Sequence, residues 1–171
     1  QLQKGSARIA LEVEPSFDEY IFIEANSERV MKLEKLRTEF HSKSIRIEQA
    51  EANSFVQNWC ASVNWYTHRA VVLLDPYGMQ VKWASLEAIA KTKAIDLWLL
   101  FPLGIAVNRL LTKKETPPPE WSTTLTEFFG TEDWRTEFYR TSIQHTLFGD
   151  HEVEERDATL SQIGNYFIER L

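Results

Sequence analysis

Arg69–Gly78 reads RAVVLLDPYG. Apolar residues run without a break from Ala70 to Leu74, followed by an acid, a proline, an aromatic and a glycine. A short continuous run rich in Val and Leu predicts a strand buried on both faces, as in a parallel sheet. Pro76 cannot donate to a strand ladder and Gly78 accepts positive φ, so the chain is expected to turn here. Asp75 is thereby expected at the carboxyl end of a central strand, where open α/β sheets bind ligands. A carboxylate at that point is a candidate for chemistry.

On both sides of this stretch, strand patterns alternate with helical ones. Upstream, Ala7–Val13 looks helical and is broken by Glu14-Pro15-Ser16. Tyr20–Glu24 (YIFIE) is the first clear strand. A helix follows, with Ser27 as its expected N-cap and Val30, Met31, Leu33, Leu36 and Phe40 spaced along one face. Ser44–Ile47 reads as a short strand and Asn53–Cys60 as a helix. Downstream, Trp83–Lys93 is a helix by composition, with Leu86, Ile89 and Ala90 in one stripe. Ile95–Phe101 is a further strand, ended by Pro102 and Gly104, and Ile105–Leu111 again looks helical. Such alternation implies βαβ units and a parallel sheet. Beyond the stiff turn or linker at Thr116–Pro119, Trp121–Phe129, Asp133–Arg140 and Ala158–Leu171 are helical candidates with no convincing strand between them. Asp150–Asp157, with five acids, reads as a solvated loop or a helix start. The expected division is therefore an α/β core over 1–115 and a helical C-terminal extension, packed on it, over 116–171.

Composition narrows the classes. The chain has 171 residues, 43% of them hydrophobic and 26% charged, which fits one globular domain with a sizeable core. A single cysteine excludes an internal disulfide and fits a reducing, cytoplasmic setting. No apolar run reaches the roughly 18 residues of a membrane span, so no membrane partner is expected. A formal net charge of −6 argues against a broad nucleic-acid-binding face, which draws on Lys and Arg to neutralise phosphates. Six tryptophans are many for this length, and a minority of them are candidate stacking surfaces.

Acids fall at or just past three expected strand ends: Glu24, Glu51 and Asp75. In a doubly wound sheet the acid after the second strand takes ribose hydroxyls of a nucleotide-like cofactor, a role Glu24 fits. Glu24 reads equally as a surface acid favoured near a helix N-terminus. Glu51 reads as an acceptor for an adenine amino group or as part of a helix cap made with Asn53. Asp75-Pro76-Tyr77-Gly78 is sharper. A carboxylate beside a proline-stiffened turn can accept from an exocyclic amine, and the adjacent aromatic can stack on a flat base. The competing reading is an ordinary Asp-Pro turn. His41, His68, His145 and His151 show no metal-ligand spacing. Cys60, beside Trp59 on an apolar helical face, reads as packing. There is no GxSxG, P-loop or HExxH pattern. The aromatic stripe of Asp133–Tyr139 reads as core.

Taken together, GSARIAL, FIEAN, RAVVLLDPYGMQVKW, AIDLWLLFPLGIAVNRLL and FFGTEDWRTEFY, in that order, resemble the bacterial three-Cys-motif partner proteins. The resemblance implies a Rossmann-like, class I S-adenosylmethionine-dependent methyltransferase fold and an association with a radical-type protein bearing a three-cysteine motif. DPYG is similar to the DPPY of adenine amino-methyltransferases and closer to the DPFG of tRNA guanine-N2 dimethylating enzymes. On that resemblance Asp75 accepts from the target amine, with Pro76, Tyr77 and Gly78 around the base. Glu24 holds the donor's ribose, Glu51 or Ala52 lies beside its adenine, and Gly5 and Ser6 belong to the donor side. Family members carry a DGFAGxG-like strand and glycine loop ahead of the GS pair. Here Gln1–Lys4 precede Gly5, so the sheet is expected to lack its first strand and the glycine loop. YIFIE and RAVVLL are then expected either to pair directly or to leave a gap.

Two main functions follow as expectations: methylation of an exocyclic amine of a nucleic-acid base, or a non-catalytic partner subunit for a three-Cys-motif protein. A third, metal-dependent nuclease-like reading requires Glu24, Glu51 and Asp75 to converge on a divalent ion.

Overall fold

The two strand–helix–strand patterns read from the sequence both form, each as a parallel pair closed by its own crossover helix. The computed structural model of the protein describes residues 5–113, 115–146 and 149–171. Among them the fold is mixed α/β, with small, mostly parallel sheets and eight α-helices. The chain divides into two compact units, residues 1–59 and 60–171.

In the first unit β1 (Tyr20–Ile23) and β2 (Ile45–Glu48) run parallel, with Tyr20 opposite Ile45 and Phe22 opposite Ile47. Parallel strands need a long crossover, supplied by α2 (Ser27–Glu39). The expected cap shifts by one residue. Asn26, not Ser27, caps α2, its Oδ1 accepting from the Arg29 amide at 3.1 Å. An Asn side chain in extended backbone reaches the third amide of the helix, which has no partner inside it. The preceding helix α1 (Ser6–Leu11) is tied to α2 by a two-pronged Arg8–Glu39 pair at 2.6 and 2.5 Å. Helix α3 (Ala52–Ser62) begins in this unit and crosses the division. Val56 and Cys60 are buried on it.

The second unit opens with β3 (Ala70–Leu74), α4 (Trp83–Thr92) and β4 (Ile95–Leu99), with Leu73 opposite Trp98. Beyond a π-helical turn at Leu103–Val107 and the short α5 (Asn108–Leu110) come α6 (Pro119–Phe129) and α7 (Trp134–Phe138). A hairpin of β5 (Tyr139–Thr146) and β6 (Gly149–Arg156) precedes α8 (Leu160–Arg170). One core joins these elements. Leu74, Leu97 and Leu99 of the parallel pair pack against a buried cluster that includes Leu86 of α4, Leu125 and Phe128 of α6, Trp134 of α7, and Phe167 of α8. Phe167 stacks on Phe101 at 4.4 Å and on Phe128 at 5.1 Å between ring centroids. The segment after residue 116 thus packs on the same core as β3 and β4, and Trp134, Phe138 and Tyr139 are buried in it as the aromatic stripe predicts.

Three expectations are corrected. The Asp133–Arg140 helix stops at Phe138, where β5 starts. The acidic stretch expected as a loop or helix start is β6, paired antiparallel with β5 from Arg156 opposite Tyr139 to Gly149 opposite Thr146. Its outer edge is held by Lys113 and Glu115, through Glu115 N to Glu154 O at 2.9 Å and Arg156 N to Lys113 O at 3.1 Å. The C-terminal part is therefore not wholly helical. Third, β3 is parallel but not buried on both faces. Ala70, Val72 and Leu74 turn inward, whereas Val71 and Leu73 are about half exposed. Among the described residues β1–β2 and β3–β4 are each a two-stranded parallel sheet. Residues Gln1–Lys4 lie outside the described residues.

Candidate functional site

The DPYG turn forms where β3 leaves its sheet. The Leu100 amide donates to the Leu74 carbonyl at 2.9 Å, the last rung of the β3–β4 ladder. The chain then folds back at once, the Gly78 amide donating to the Pro76 carbonyl at 2.9 Å. Gly78 has φ +96°, a conformation that L side chains rarely adopt, so the turn depends on glycine here. The tight turn thrusts Tyr77 outward, where it is 76% exposed, while Met79 returns to the core. Asp75 is exposed, and no hydrogen bond or ion pair engages its carboxylate among the described residues. Its acceptor sites are open to a ligand.

Glu24 and Glu51 follow the carboxyl ends of the other parallel pair, β1 and β2, and their two carboxylates are engaged very differently. The Glu24 amide continues the ladder, donating to Glu48 O at 3.0 Å. Its side chain accepts from the Asn26 amide at 2.8 Å on Oε1 and from Arg29 Nη1 at 3.3 Å on Oε2. A carboxylate has about four lone-pair sites, so each Glu24 oxygen keeps one open. Glu51 keeps none. Its Oε1 accepts from the Asn53 amide at 2.8 Å and Asn53 Nδ2 at 2.7 Å, and its Oε2 accepts from the Ser54 amide at 2.8 Å and Ser54 Oγ at 2.9 Å. These bonds close the first turn of α3. Burial pushes the Glu51 carboxyl up, but the bonds from Ser54 and Asn53 outweigh it and hold it down at about 2. The helix-cap reading of Glu51 is the one its geometry matches, and Ala52 is the first residue of the capped helix.

Gly5 and Ser6 stand at the start of α1, Gly5 as N-cap with φ −69°. A Cβ built on Gly5 meets nothing within 4 Å, so neither conformation nor crowding requires glycine there. Cys60 is buried, which pushes its thiol up, in keeping with packing. His68 Nδ1 lies 2.9 Å from both Thr67 Oγ1 and Asn64 O. The side chains of His145 and His151 lie outside those described. Among the described residues no three or more His, Cys, Asp and Glu side chains are placed to hold a metal ion.

Two open clefts lie elsewhere in the second unit. One, of about 350 Å³, is walled by Glu137, Tyr166 and Glu169, and the other, of about 640 Å³, by Pro117–Pro119, Ser122 and Glu132. Neither is lined by Glu24, Glu51 or Asp75. What the chain pattern did not foretell is the open face of β3 and β4 beside Asp75. The signal available was that IDLWLL, like AVVLL, is apolar at nearly every position. No described helix is long and apolar enough to cross a membrane. Comparison of the chain with protein-family models, with curated proteins and with solved structures gives no match.

Proposed function

We propose that this chain is a Rossmann-like, S-adenosylmethionine-dependent methyltransferase-like protein whose acceptor is an exocyclic amine of a nucleic-acid base. The observation that carries the reading is Asp75, an unengaged carboxylate at the carboxyl end of a parallel strand, held in a Pro-Tyr-Gly turn. The resemblance of its sequence blocks to three-Cys-motif partner proteins supports it. So does Glu24, whose two open acceptor sites fit the two hydroxyls of a ribose. S-adenosylmethionine, when bound, supplies an electrophilic methyl group. Asp75 would accept an N–H of the target amine and so aim the nitrogen lone pair, a contribution of orientation. Tyr77 would lie against the base. Glu24 would hold the donor's ribose, with Gly5, Ser6 and Ala52 contributing backbone to the donor side. Glu51 acts through α3, whose start it organises, because its acceptor sites are filled.

Calorimetric titration with S-adenosylmethionine tests the reading. Binding that Glu24→Ala weakens, and methyl transfer that Asp75→Ala abolishes without changing binding, are the expected results. Absence of binding heat overturns it.

A second reading is a non-catalytic partner subunit of a three-Cys-motif protein. It is favoured by the large apolar side chains exposed on the first unit, Ile9, Val13, Phe17 and Met31. It predicts that Ile9→Asp and Phe17→Asp abolish co-purification with that protein while leaving the fold intact.

A further inference from the structure

The two faces of the β3–β4 pair are both largely apolar in sequence, with Asp96, opposite Val71, the one charged residue on the strands, and they are unequally covered. Leu74, Leu97 and Leu99 face the core. On the opposite face Val71, Leu73, Trp98 and Leu100 are 48%, 51%, 68% and 55% exposed. Asp75 is exposed and is the first residue past β3; one further step of the strand alternation would put it on this face, beside Leu100. We infer that this face is the platform on which the planar acceptor base lies, with Trp98 as its stacking surface and Asp75 meeting its amine. The inference rests on the methyl-transfer reading above and adds a specificity-determining residue to it.

Chemistry, reach and size carry it. A strip of apolar side chains with an acid at either end, Asp96 beside Val71 and the unengaged Asp75 beyond Leu73, complements a ring that has two apolar faces and an N–H donor at its edge. Trp98 lies opposite Leu73, so it is diagonal to Asp75. Strand rise and spacing put their Cα atoms roughly 8 Å apart. A ring stacked on the indole can therefore present its exocyclic amine to the carboxylate. Size argues against a protein occupant. The exposed parts of these side chains amount to something on the order of 400 Å², about half of what one partner buries in a stable protein–protein contact. A single base needs far less.

The test compares two single-stranded probes, an adenine homo-oligonucleotide, which carries exocyclic amines, and a thymine homo-oligonucleotide, which does not. Trp98→Ala is expected to weaken binding of both about tenfold, as loss of one stacking surface does. Trp98→Phe should retain most of the affinity, and both variants should bind S-adenosylmethionine as the unaltered protein does. Asp75→Asn is expected to erase the preference for adenine over thymine. Unchanged oligonucleotide affinity in Trp98→Ala overturns the inference while leaving methyl transfer standing. So does a sedimentation experiment in which Trp98→Ala breaks up an oligomer, since that assigns the face to protein contact. Absence of S-adenosylmethionine binding, with Trp98-dependent binding of the oligonucleotides retained, overturns the methyl-transfer reading and not the platform.

Discussion

A Cβ on Gly130 would fall 2.2 Å from Cγ of Trp83. Gly130 closes α6 with φ +73°, its amide donating to Thr126 O at 2.8 Å, and its missing side chain is the space the indole fills. The Arg170 guanidinium lies over the same ring, 5.0 Å from its centroid. Gly130→Ala therefore combines a strained backbone with a clash against a large ring. It should cost about 2 kcal/mol or more of unfolding free energy in a denaturant titration. A loss below about 0.5 kcal/mol would mean that Trp83 moves aside freely.

Phe167 is the aromatic that most joins the C-terminal helix to the rest of the core. It is 2% exposed and stacks on both Phe101 and Phe128. Phe167→Ala should cost about 3–5 kcal/mol, the range for emptying a core aromatic site. Phe167→Leu, which keeps most of the volume, should cost clearly less. Equal losses would point away from cavity formation.

Glu51 gives a pH signature. Its folded carboxyl lies at about 2, below the ordinary value of 4.5. The unfolded chain takes up the proton first as pH falls, so stability from this group is complete above about 4.5 and fades toward pH 2. Thermal melts of the unaltered protein and Glu51→Gln should differ by a constant amount between pH 5 and 8, about 1 kcal/mol for a lost cap. The gap should narrow below about pH 4.5. A gap that widens on acidification contradicts the cap.

Asp75 should behave in the opposite way to these structural positions. With no partner among the described residues, Asp75→Asn should shift stability by no more than about 0.5 kcal/mol. Its effect should appear in function alone, as loss of methyl transfer with an unchanged melting temperature. A large fall in stability would make the residue part of the fold.

Much of the architecture was legible along the chain because it is local. β-branched and aromatic runs at Tyr20–Ile23 and Ala70–Leu74 make strands. The stripe of Leu86 and Ile89 makes α4. Pro76 and Gly78 make a turn whatever surrounds them, since backbone sterics act within a few residues. The hairpin was not legible. β5 and β6 are stabilised by bonds to each other and to Lys113 and Glu115, and an acid-rich segment such as Asp150–Asp157 carries little strand propensity of its own. Nor did the chain pattern reveal how each acid is used. Glu24 and Glu51 both follow strands, yet one keeps open acceptor sites and the other spends all of its own on a helix start. The sequence by itself determined that an acid would stand at the end of RAVVLL, because propensity and turn chemistry are properties of neighbours. Only the tertiary structure decided that Val71, Leu73 and Trp98 stay open beside it, because coverage of a strand face depends on which distant helices pack there, and α4, α6 and α8 share the core on the other side.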